Sequence, residues 1–218
     1  MHFARRRLVL ATALLPALPL AHAQPKAPVA GKDFRDVQPP QPVDSGSKIE
    51  ALEFFQYSCP HCFSFMPDLE AWRKKRAADV DYKRLPINWD NSTVNHTKTY
   101  YTLEQMNLLD RLHEKFFAAI HRDRRHLLDI NEIADFMATN GVDRAQWLST
   151  FNSFAVNTRV SRAGQIWRAF KIEGTPMVGI DGRFVTAPSM TGSREGAIAA
   201  MDFLVARAQR ERAGAAKK

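Results

Sequence analysis

Apolar and polar positions along the chain fall into short blocks that predict strands and helices in alternation. Residues 48–57 (KIEALEFFQY) form an apolar, aromatic-rich run typical of a buried strand, and residues 80–87 (VDYKRLPI) predict a second strand. Residues 34–37 (FRDV) are compatible with a short edge strand. Between the two main strands, residues 60–75 predict a helix, which Pro67 is expected to kink. The apolar positions of this helix follow its period: Phe65, Leu69 and Trp72.

The middle of the chain has a helical pattern throughout. Residues 101–123 (YTLEQMNLLDRLHEKFFAAIHRD) predict one helix with a single apolar stripe, formed by Met106, Leu109, Leu112, Phe116 and Ile120. Three shorter helices are predicted at residues 131–142, 144–153 and 155–170. Gly141 suits the left-handed position that ends the first of these, and Asp143 can cap the second.

After the helices the pattern returns to strands. Residues 175–186 (TPMVGIDGRFVT) predict two short strands around Asp181 and Gly182, because Asp-Gly between apolar runs is a strong hairpin signal. Ser193 is expected to cap a last helix whose buried positions are Ala197, Met201, Leu204 and Val205. The order of elements indicates an α/β core that is interrupted by a helical insertion.

The chain divides accordingly into six segments. Residues 24–48 are polar and proline-rich and form an N-terminal arm with the possible edge strand. The others are a leader at 1–23, the first part of the core at 49–95, the insertion at 96–160, the second part of the core at 161–210, and a frayed basic tail at 211–218.

The first 23 residues predict a secretory signal peptide. Arg5, Arg6 and Arg7 precede the apolar run at 8–20, which is shorter than the ~20 residues that a membrane span needs, so a permanent anchor is the weaker alternative. Cleavage after Ala23 would lower the net charge from +8 to +5, because 28 Lys and Arg then face 23 Asp and Glu. An exported protein of this moderate charge is not expected to bind nucleic acid.

The chain contains only two cysteines, Cys59 and Cys62, and export favours their oxidation. A disulfide between residues three apart constrains the unfolded chain very little, so a purely stabilising role is a weak explanation. Cys59 lies where a strand passes into a helix, and the helix N-terminus lowers the pKa of a thiol there. Pro60 suits the first helical position, and His61 adds positive charge. A disulfide whose reduced form is stabilised in this way is a strong oxidant.

The main alternative for a close cysteine pair is half of a zinc site. Zinc in proteins usually has about four ligands, and the chain has no second pair of cysteines. Histidines could supply nitrogen ligands: His96, His113, His121 and His126. Because the ligand count does not favour this alternative, we expect no metal.

Several segments resemble the DsbA family of periplasmic thiol:disulfide oxidases. The segment LEFFQYSCPHC is similar to the active-site segment of that family, and CPHC is its typical motif. EGTPMVGIDGRFV resembles its cis-proline loop and the hairpin after it, and FNSFAVNTRV resembles the end of its helical insertion. The likeness extends roughly over residues 34–205 and implies an α/β thioredoxin fold with an inserted helical domain.

The resemblance also implies a role for each residue around the motif. Cys59 corresponds to the nucleophilic thiol that forms the mixed disulfide, and Cys62 to the buried partner that closes the ring again. Pro60 and His61 are then expected to tune the redox potential.

Three further positions correspond to functional residues of the same family. Thr175 and Pro176 correspond to the cis-proline loop whose backbone pairs with the substrate peptide. Glu53 corresponds to a buried acid that relays a proton to Cys62; its alternative is an ordinary charge at the edge of a strand. The chain departs from the family where Met66 and Pro67 stand near the usual position of a second acid, and where Thr175 replaces a bulkier residue.

The implied function is a periplasmic disulfide oxidase. Its partners would be reduced, unfolded secreted proteins and a DsbB-type membrane enzyme that re-oxidises it; we expect a monomer and no cofactor, because the disulfide is itself the redox group. One alternative is a reductase or isomerase on the same fold, although the arm at 24–48 is short for an isomerase dimerisation domain. Another is a module that holds peptides without turnover. An apolar groove for such peptides could include Phe63, Phe65, Trp72, Trp89 and Met177, although core packing is the favoured role for most of them.

Overall fold

A five-stranded mixed sheet forms the centre of the protein. The computed structural model describes residues 27–215, so the predicted signal peptide lies outside the described residues. The strands are β1 (Phe34–Asp36), β2 (Ile49–Phe55), β3 (Val80–Pro86), β4 (Met177–Ile180) and β5 (Phe184–Thr186). Their order in the sheet is β1-β5-β4-β2-β3; β2 and β3 are parallel and the other neighbours are antiparallel. The predicted edge strand, main strands and hairpin are confirmed.

The helices pack on both faces of this sheet. They are α1 (Pro60–Lys75), α2 (Val94–Gln105), α3 (Leu109–His121), α4 (Ile130–Thr139), α5 (Arg144–Phe151), α6 (Phe154–Ala169), α7 (Pro188–Thr191) and α8 (Arg194–Ala215), with a 3₁₀ turn at Asn91–Thr93. The helices α2 to α6 lie between β3 and β4 and form the predicted insertion. The α/β fold with a helical insertion is therefore present.

The strand β2 is fully buried and contacts both halves of the core. Ile49 and Ala51 pack in one apolar cluster with side chains of α1 and α8, whereas Leu52 and Phe54 pack in a second cluster with the insertion helices. Alternate side chains of a strand point to opposite faces, so a central strand covered on both sides has a continuous apolar sequence. The turn between β2 and α1 is consequently attached to a strand that is held from both faces of the sheet.

The prediction of one helix over residues 101–123 is wrong, because the chain breaks it into α2 and α3. Asn107 adopts a left-handed conformation with φ 55°, which Asn tolerates better than most residues. The N–H of Leu108 then donates to the carbonyl of Leu103 at 2.7 Å, which closes the end of α2. The apolar stripe survives in α3, where Leu112 and Phe116 are buried.

Two predicted boundaries also differ from the structure. The division between residues 160 and 161 falls inside α6, which continues to Ala169. The tail predicted to fray from residue 211 is helical as far as Ala215. Its last described turns are fastened to the β4–β5 hairpin, because Arg212 pairs with Asp181 and Glu211 pairs with Arg183.

The predicted helix ends and caps agree with the structure. Gly141 has φ 76° just after α4, and the Asp143 carboxylate accepts the N–H of Gln146 at 2.7 Å. The Ser193 hydroxyl oxygen accepts the N–H of Gly196 at 2.9 Å at the start of α8. These helix ends and caps could be predicted from the sequence because each depends on residues only a few positions apart.

Candidate active site

The site lies at the C-terminal end of the inner strand β2, where the chain passes into α1. Cys59 is the N-cap of α1, and the N–H of Cys62 points at its sulfur with an N–Sγ distance of 3.4 Å. Cys59 is partly exposed, whereas Cys62 is 1% exposed. Both cysteines are free thiols in this structure. One thiol is therefore accessible to another molecule and its partner is enclosed.

The two thiols differ strongly in acidity. The pKa of Cys59 is lowered from 9.0 to about 5, chiefly by a hydrogen bond from the Cys62 thiol, and burial only partly opposes this. Hydrogen bonds from the side chain of Thr175 and from the backbone N–H groups of Cys62 and His61 lower it further. Burial raises the pKa of Cys62 far above its usual value. At neutral pH the reduced pair is thus a thiolate at Cys59 beside a protonated Cys62.

Pro60 and His61 occupy the first turn of α1 and are both exposed. Pro60 stands at the first helical position, as the sequence predicts. His61 lowers the pKa of Cys59 through its backbone N–H. The cause is the geometry of an N-cap, since the free N–H groups of the first turn converge on the capping side chain.

The loop between α6 and β4 comes directly against the reactive sulfur. The Thr175–Pro176 peptide bond is cis, and Pro176 is buried. The carbonyl oxygen of Thr175 lies 3.4 Å from the sulfur of Cys59. The structure therefore brings together Cys59, Cys62, Thr175 and Pro176, as the sequence predicted.

Glu53 lies on β2, is 4% exposed, and is not an ordinary edge charge. Burial raises its pKa above 4.5, whereas the nearby Arg84 and a hydrogen bond from the Tyr82 hydroxyl act in the opposite direction. Arg84 Nε lies 3.2 Å from a carboxylate oxygen of Glu53, and the same guanidinium also pairs with Glu70. Glu53 in turn contributes to the raised pKa of Cys62. The site thus contains a buried charged cluster next to the enclosed thiol.

Arg84 is the residue of this cluster that sequence reasoning missed. It faces Glu53 because β2 and β3 pair in parallel with Glu53 opposite Arg84. The available signal was a basic residue in the predicted strand VDYKRLPI beside a strand that carries a buried acid. The register between the two strands, which brings the charges together, could not be read from either strand alone.

Two histidines hold the turn that carries Cys59. The hydroxyl of Tyr57 is hydrogen-bonded to Nδ1 of the buried His113 at 2.7 Å, and His121 Nε2 donates to the carbonyl oxygen of Tyr57 at 2.8 Å. Burial lowers the pKa of His113 well below 6.5, so its ring is neutral. Across residues 27–215 no three metal-ligating side chains form a cluster. These two histidines, considered as zinc ligands, thus have structural partners instead.

Most of the aromatic side chains considered for a peptide groove are core residues. Phe65, Trp72 and Met177 are at most 8% exposed, and Trp72 donates to Asp202 from inside the α1–α8 contact. Only Phe63 and Trp89 of this set reach the surface, with Trp89 43% exposed. The prediction of core packing for most of the set is therefore confirmed.

The thiol acidities give a direct pH prediction. In the reduced protein, the rate of alkylation by iodoacetamide at one cysteine should rise with a midpoint near pH 5, because only the thiolate reacts and the pKa of Cys59 is about 5. Cys62 should remain unmodified up to pH 9, since burial raises its pKa. Mass spectrometry of the alkylated peptides measures both. A midpoint near pH 8.5, the ordinary value for cysteine, would contradict this account.

The fold and the site together define a thioredoxin-type protein with a reactive cysteine at the N-cap of its first core helix. The DSBA-like thioredoxin domain family matches residues 51–195 of the chain. The chain belongs to this family and is a thiol:disulfide oxidoreductase, as its curated relatives named thiol:disulfide interchange protein are.

Curated relatives align with most of the sequence of this chain. A thiol:disulfide interchange protein DsbA of Burkholderia cepacia is 38% identical over 191 residues, covering 87% of this chain and 90% of the relative. The DsbA of Bordetella parapertussis is 38% identical over 204 residues, covering 91% and 97%. The crystal structure of Pseudomonas aeruginosa DsbA superposes with a TM-score of 0.80 at 36% identity, covering 87% of this chain and 97% of that chain.

Proposed function

We propose that this protein is a periplasmic disulfide oxidase that donates its Cys59–Cys62 disulfide to newly exported proteins. The observation that carries this proposal is the difference in acidity between the thiols, with a pKa of about 5 for Cys59 and a strongly raised pKa for Cys62. A stable Cys59 thiolate favours the reduced pair, and a disulfide with a stable reduced form gives up its oxidising equivalents readily.

The reaction proceeds in two exchange steps. A substrate thiolate attacks Cys59; a bond forms between the two sulfurs, the Cys59–Cys62 bond breaks, and Cys62 leaves with the electron pair. A second substrate thiolate then attacks the substrate sulfur of this mixed disulfide, and Cys59 leaves as a thiolate. The substrate has lost two electrons and gained a disulfide, and the protein has become a dithiol. The low pKa of Cys59 makes it the better leaving group in the second step.

The surrounding residues are assigned to these steps. Cys62 takes up a proton when it leaves, and we assign the transfer of that proton to Glu53, because burial raises the pKa of its carboxyl group above the usual value. The backbone at Thr175 and Pro176, beside the Cys59 sulfur, is assigned to pairing with the substrate chain. Pro60 and His61 are assigned to tuning the potential through the first turn of α1.

The cellular setting belongs to the same proposal. The leader at residues 1–23 supports export to the periplasm. In the described part of the chain, no helix is both long and apolar enough to cross a bilayer. The clients would be reduced, unfolded secreted proteins, and a DsbB-type membrane enzyme would restore the disulfide. The protein would act as a monomer, without cofactor.

The redox equilibrium with glutathione tests the proposal. The protein lacking residues 1–23 is equilibrated with graded mixtures of reduced and oxidised glutathione, and free thiols are counted by alkylation. We expect the dithiol to predominate in mildly oxidising mixtures, with a midpoint above about −180 mV, the potential typical of protein disulfide isomerase. A disulfide that persists into strongly reducing mixtures would instead identify a thioredoxin-like reductase or a structural bond.

A further inference from the structure

A basic loop joins α3 to α4 beside the reactive cysteine. We define the basic loop as residues 122–126 (RDRRH), in which three arginines and one aspartate give a net charge of +2. Arg122, Arg124 and Arg125 are all exposed, and none of them forms an ion pair with any residue in 27–215. Positive charge at this point is therefore available to another molecule.

The basic loop is continuous with the active site through Phe63. The N–H of Phe63 donates to the carbonyl of Cys59 at 3.2 Å, so its position is fixed by the first turn of α1. Its ring stacks on His121 with centroids 5.1 Å apart, and the guanidinium of Arg122 lies 5.3 Å from its centroid. His121 also donates to the carbonyl of Tyr57. His121, the residue before the basic loop, thus contacts residues on both sides of Cys59, and Arg122 at the start of the loop contacts Phe63.

The backbone of the basic loop is anchored although its side chains are exposed. The N–H of Arg125 donates to the carbonyl of Ala119 at 3.0 Å, and the Arg125 guanidinium lies 5.3 Å from the ring centroid of Phe136. The next residue after the loop, Leu127, is buried, and its carbonyl is bonded to Nε2 of His96 at 3.0 Å. Because the backbone of the loop is anchored, its charges lie at a defined place, and less conformational entropy is lost when a ligand binds.

We propose that the basic loop binds acidic stretches of the polypeptide that reacts at Cys59, so that the protein oxidises acidic clients faster than neutral or basic ones. This inference rests on the proposed function, because the bound chain is the substrate of the same exchange. The exchange itself is unchanged: the client loses two electrons and gains a disulfide, and the Cys59–Cys62 disulfide becomes a dithiol. The loop acts on the encounter that precedes the first exchange step.

An acidic polypeptide fits this surface better than an anionic membrane. Basic clusters that bind anionic lipids usually contain 4–8 Lys or Arg residues, and the basic loop carries three arginines with one aspartate among them. A client chain must lie over Cys59 in any case, next to Phe63. Leu128, which is 40% exposed just beyond the loop, adds an apolar contact that an unfolded chain can use.

The expected effect is on the rate of association. Charge complementarity near a binding site raises association rates by 10-fold or more at low ionic strength, and salt screens the effect. For the basic loop we expect an acidic peptide to be oxidised about tenfold faster than a neutral one at low salt. The advantage should shrink toward unity at high salt, since the charges involved are exposed.

Three two-cysteine peptides that differ only in four flanking residues test the inference. The flanking residues are Glu, Gln or Lys. Each reduced peptide is mixed with the oxidised protein, and the second-order rate constant of the single disulfide transfer is measured at low and high salt. The variant replaces the three arginines by glutamine: Arg122→Gln, Arg124→Gln and Arg125→Gln. We expect the ratio of the Glu peptide rate to the Gln peptide rate to fall from about ten to near one in this variant.

A control variant removes the same amount of charge away from the site. It replaces exposed basic residues that form no ion pair in the described part of the chain: Lys75→Gln, Arg111→Gln and Arg210→Gln. This variant should keep the Glu-to-Gln ratio of the wild type. A similar fall in both variants would mean that net charge alone is responsible, and would overturn the role of the loop.

The remaining outcomes separate the inference from the proposed function. If the wild type oxidises all three peptides at equal rates, the inference fails and the oxidase function stands. If it oxidises none of them, the proposed function itself fails. If the loop variant loses rate equally on all peptides, the arginines act on the structure of the site and the inference is overturned. Loop-dependent binding to vesicles of phosphatidylglycerol, without discrimination between peptides, would assign the surface to the membrane.

Discussion

Replacing Cys59 by serine should abolish disulfide transfer to a reduced peptide. We expect a loss on the order of 10⁴-fold or more, the scale seen when a catalytic nucleophile is removed. The reason is that Cys62, the only other cysteine, is 1% exposed and has a strongly raised pKa, so it cannot take over the exchange. Oxidation of a two-cysteine peptide, followed by alkylation and mass spectrometry, measures the effect.

The matched variant is Cys62→Ser, since it removes the other half of the same pair. This variant keeps the reactive Cys59 but cannot expel a client from the mixed disulfide. It is mixed with a one-cysteine peptide whose thiol is activated as a mixed disulfide with thionitrobenzoate. The Cys59 thiolate attacks the peptide sulfur and thionitrobenzoate leaves as a thiolate. We expect the resulting Cys59–peptide disulfide to accumulate until dithiothreitol reduces it. The same covalent complex in Cys59→Ser, or equal peptide oxidation by both variants, would contradict the assignment of Cys59 as the attacked sulfur.

These variants also distinguish catalysis from simple peptide holding. A module that only holds apolar chains would bind peptide equally well with serine at residue 59, since the hydroxyl occupies nearly the same volume as the thiol. Peptide binding measured by fluorescence anisotropy, compared with peptide oxidation in the same variant, separates the two functions. Retained binding together with lost oxidation supports the oxidase.

The parts of the fold that could be predicted from the sequence depend on short-range patterns. β2 and α1 were predicted well, because an apolar run and a helical period each lie within one stretch of chain, and the CPHC motif marks their junction. The turn at Asp181 and Gly182 was predicted because both residues adopt positive φ, which this dipeptide favours. The positions of both cysteines and of Thr175 and Pro176 were inferred from such segments and from the family resemblance.

The parts that could not be predicted depend on contacts between distant segments. The break at Asn107 interrupts a sequence whose helical pattern is continuous. It separates α2, which packs against α5 and α6, from α3, which packs against α1 and α2. His113 and His121 are possible metal ligands by residue type, but the fold places both beside Tyr57. A residue type and its spacing therefore indicated the chemistry of a side chain, and the tertiary structure determined its partner.

The pairing of Arg84 with Glu53 leads to the second large expected effect. Replacing Arg84 by methionine should lower the free energy of unfolding at pH 7 by about 3–5 kcal/mol, because it leaves Glu53 buried without its counter-charge. The side chains of Arg84 and Glu53 are only 13% and 5% exposed, so solvent screens the pair weakly. Urea unfolding of the reduced protein measures the loss.

Two control variants show whether the loss comes from the unpaired charge. Arg73→Met removes the more exposed ion pair with Glu70, whose side chains are 36% and 28% exposed, and should cost at most about 1 kcal/mol. Adding Glu53→Gln to Arg84→Met removes the stranded charge and should recover most of the stability, since an uncharged pair of similar volume is often neutral. If the double variant is no more stable than Arg84→Met, the loss comes from the packing of the Arg84 side chain and not from the unpaired charge of Glu53.

The pH dependence of the stability of Arg84→Met tests whether Glu53 causes the loss. Burial raises the folded-state pKa of Glu53 above 4.5, and Arg84 opposes that rise, so removing Arg84 should raise the pKa further. A raised folded-state pKa means that Glu53 binds a proton more tightly in the folded protein than in the unfolded chain. This difference stabilises the folded protein fully below about pH 4.5. The stabilisation is lost as the pH rises through the folded-state pKa. The stability of Arg84→Met should therefore fall more steeply than that of the wild type as pH increases from 4.5 toward 7, and the two should differ least near pH 4.5. A loss that is the same at every pH would show that Glu53 does not sense Arg84, and the assignment of Glu53 as a proton carrier for Cys62 would then lose its electrostatic basis.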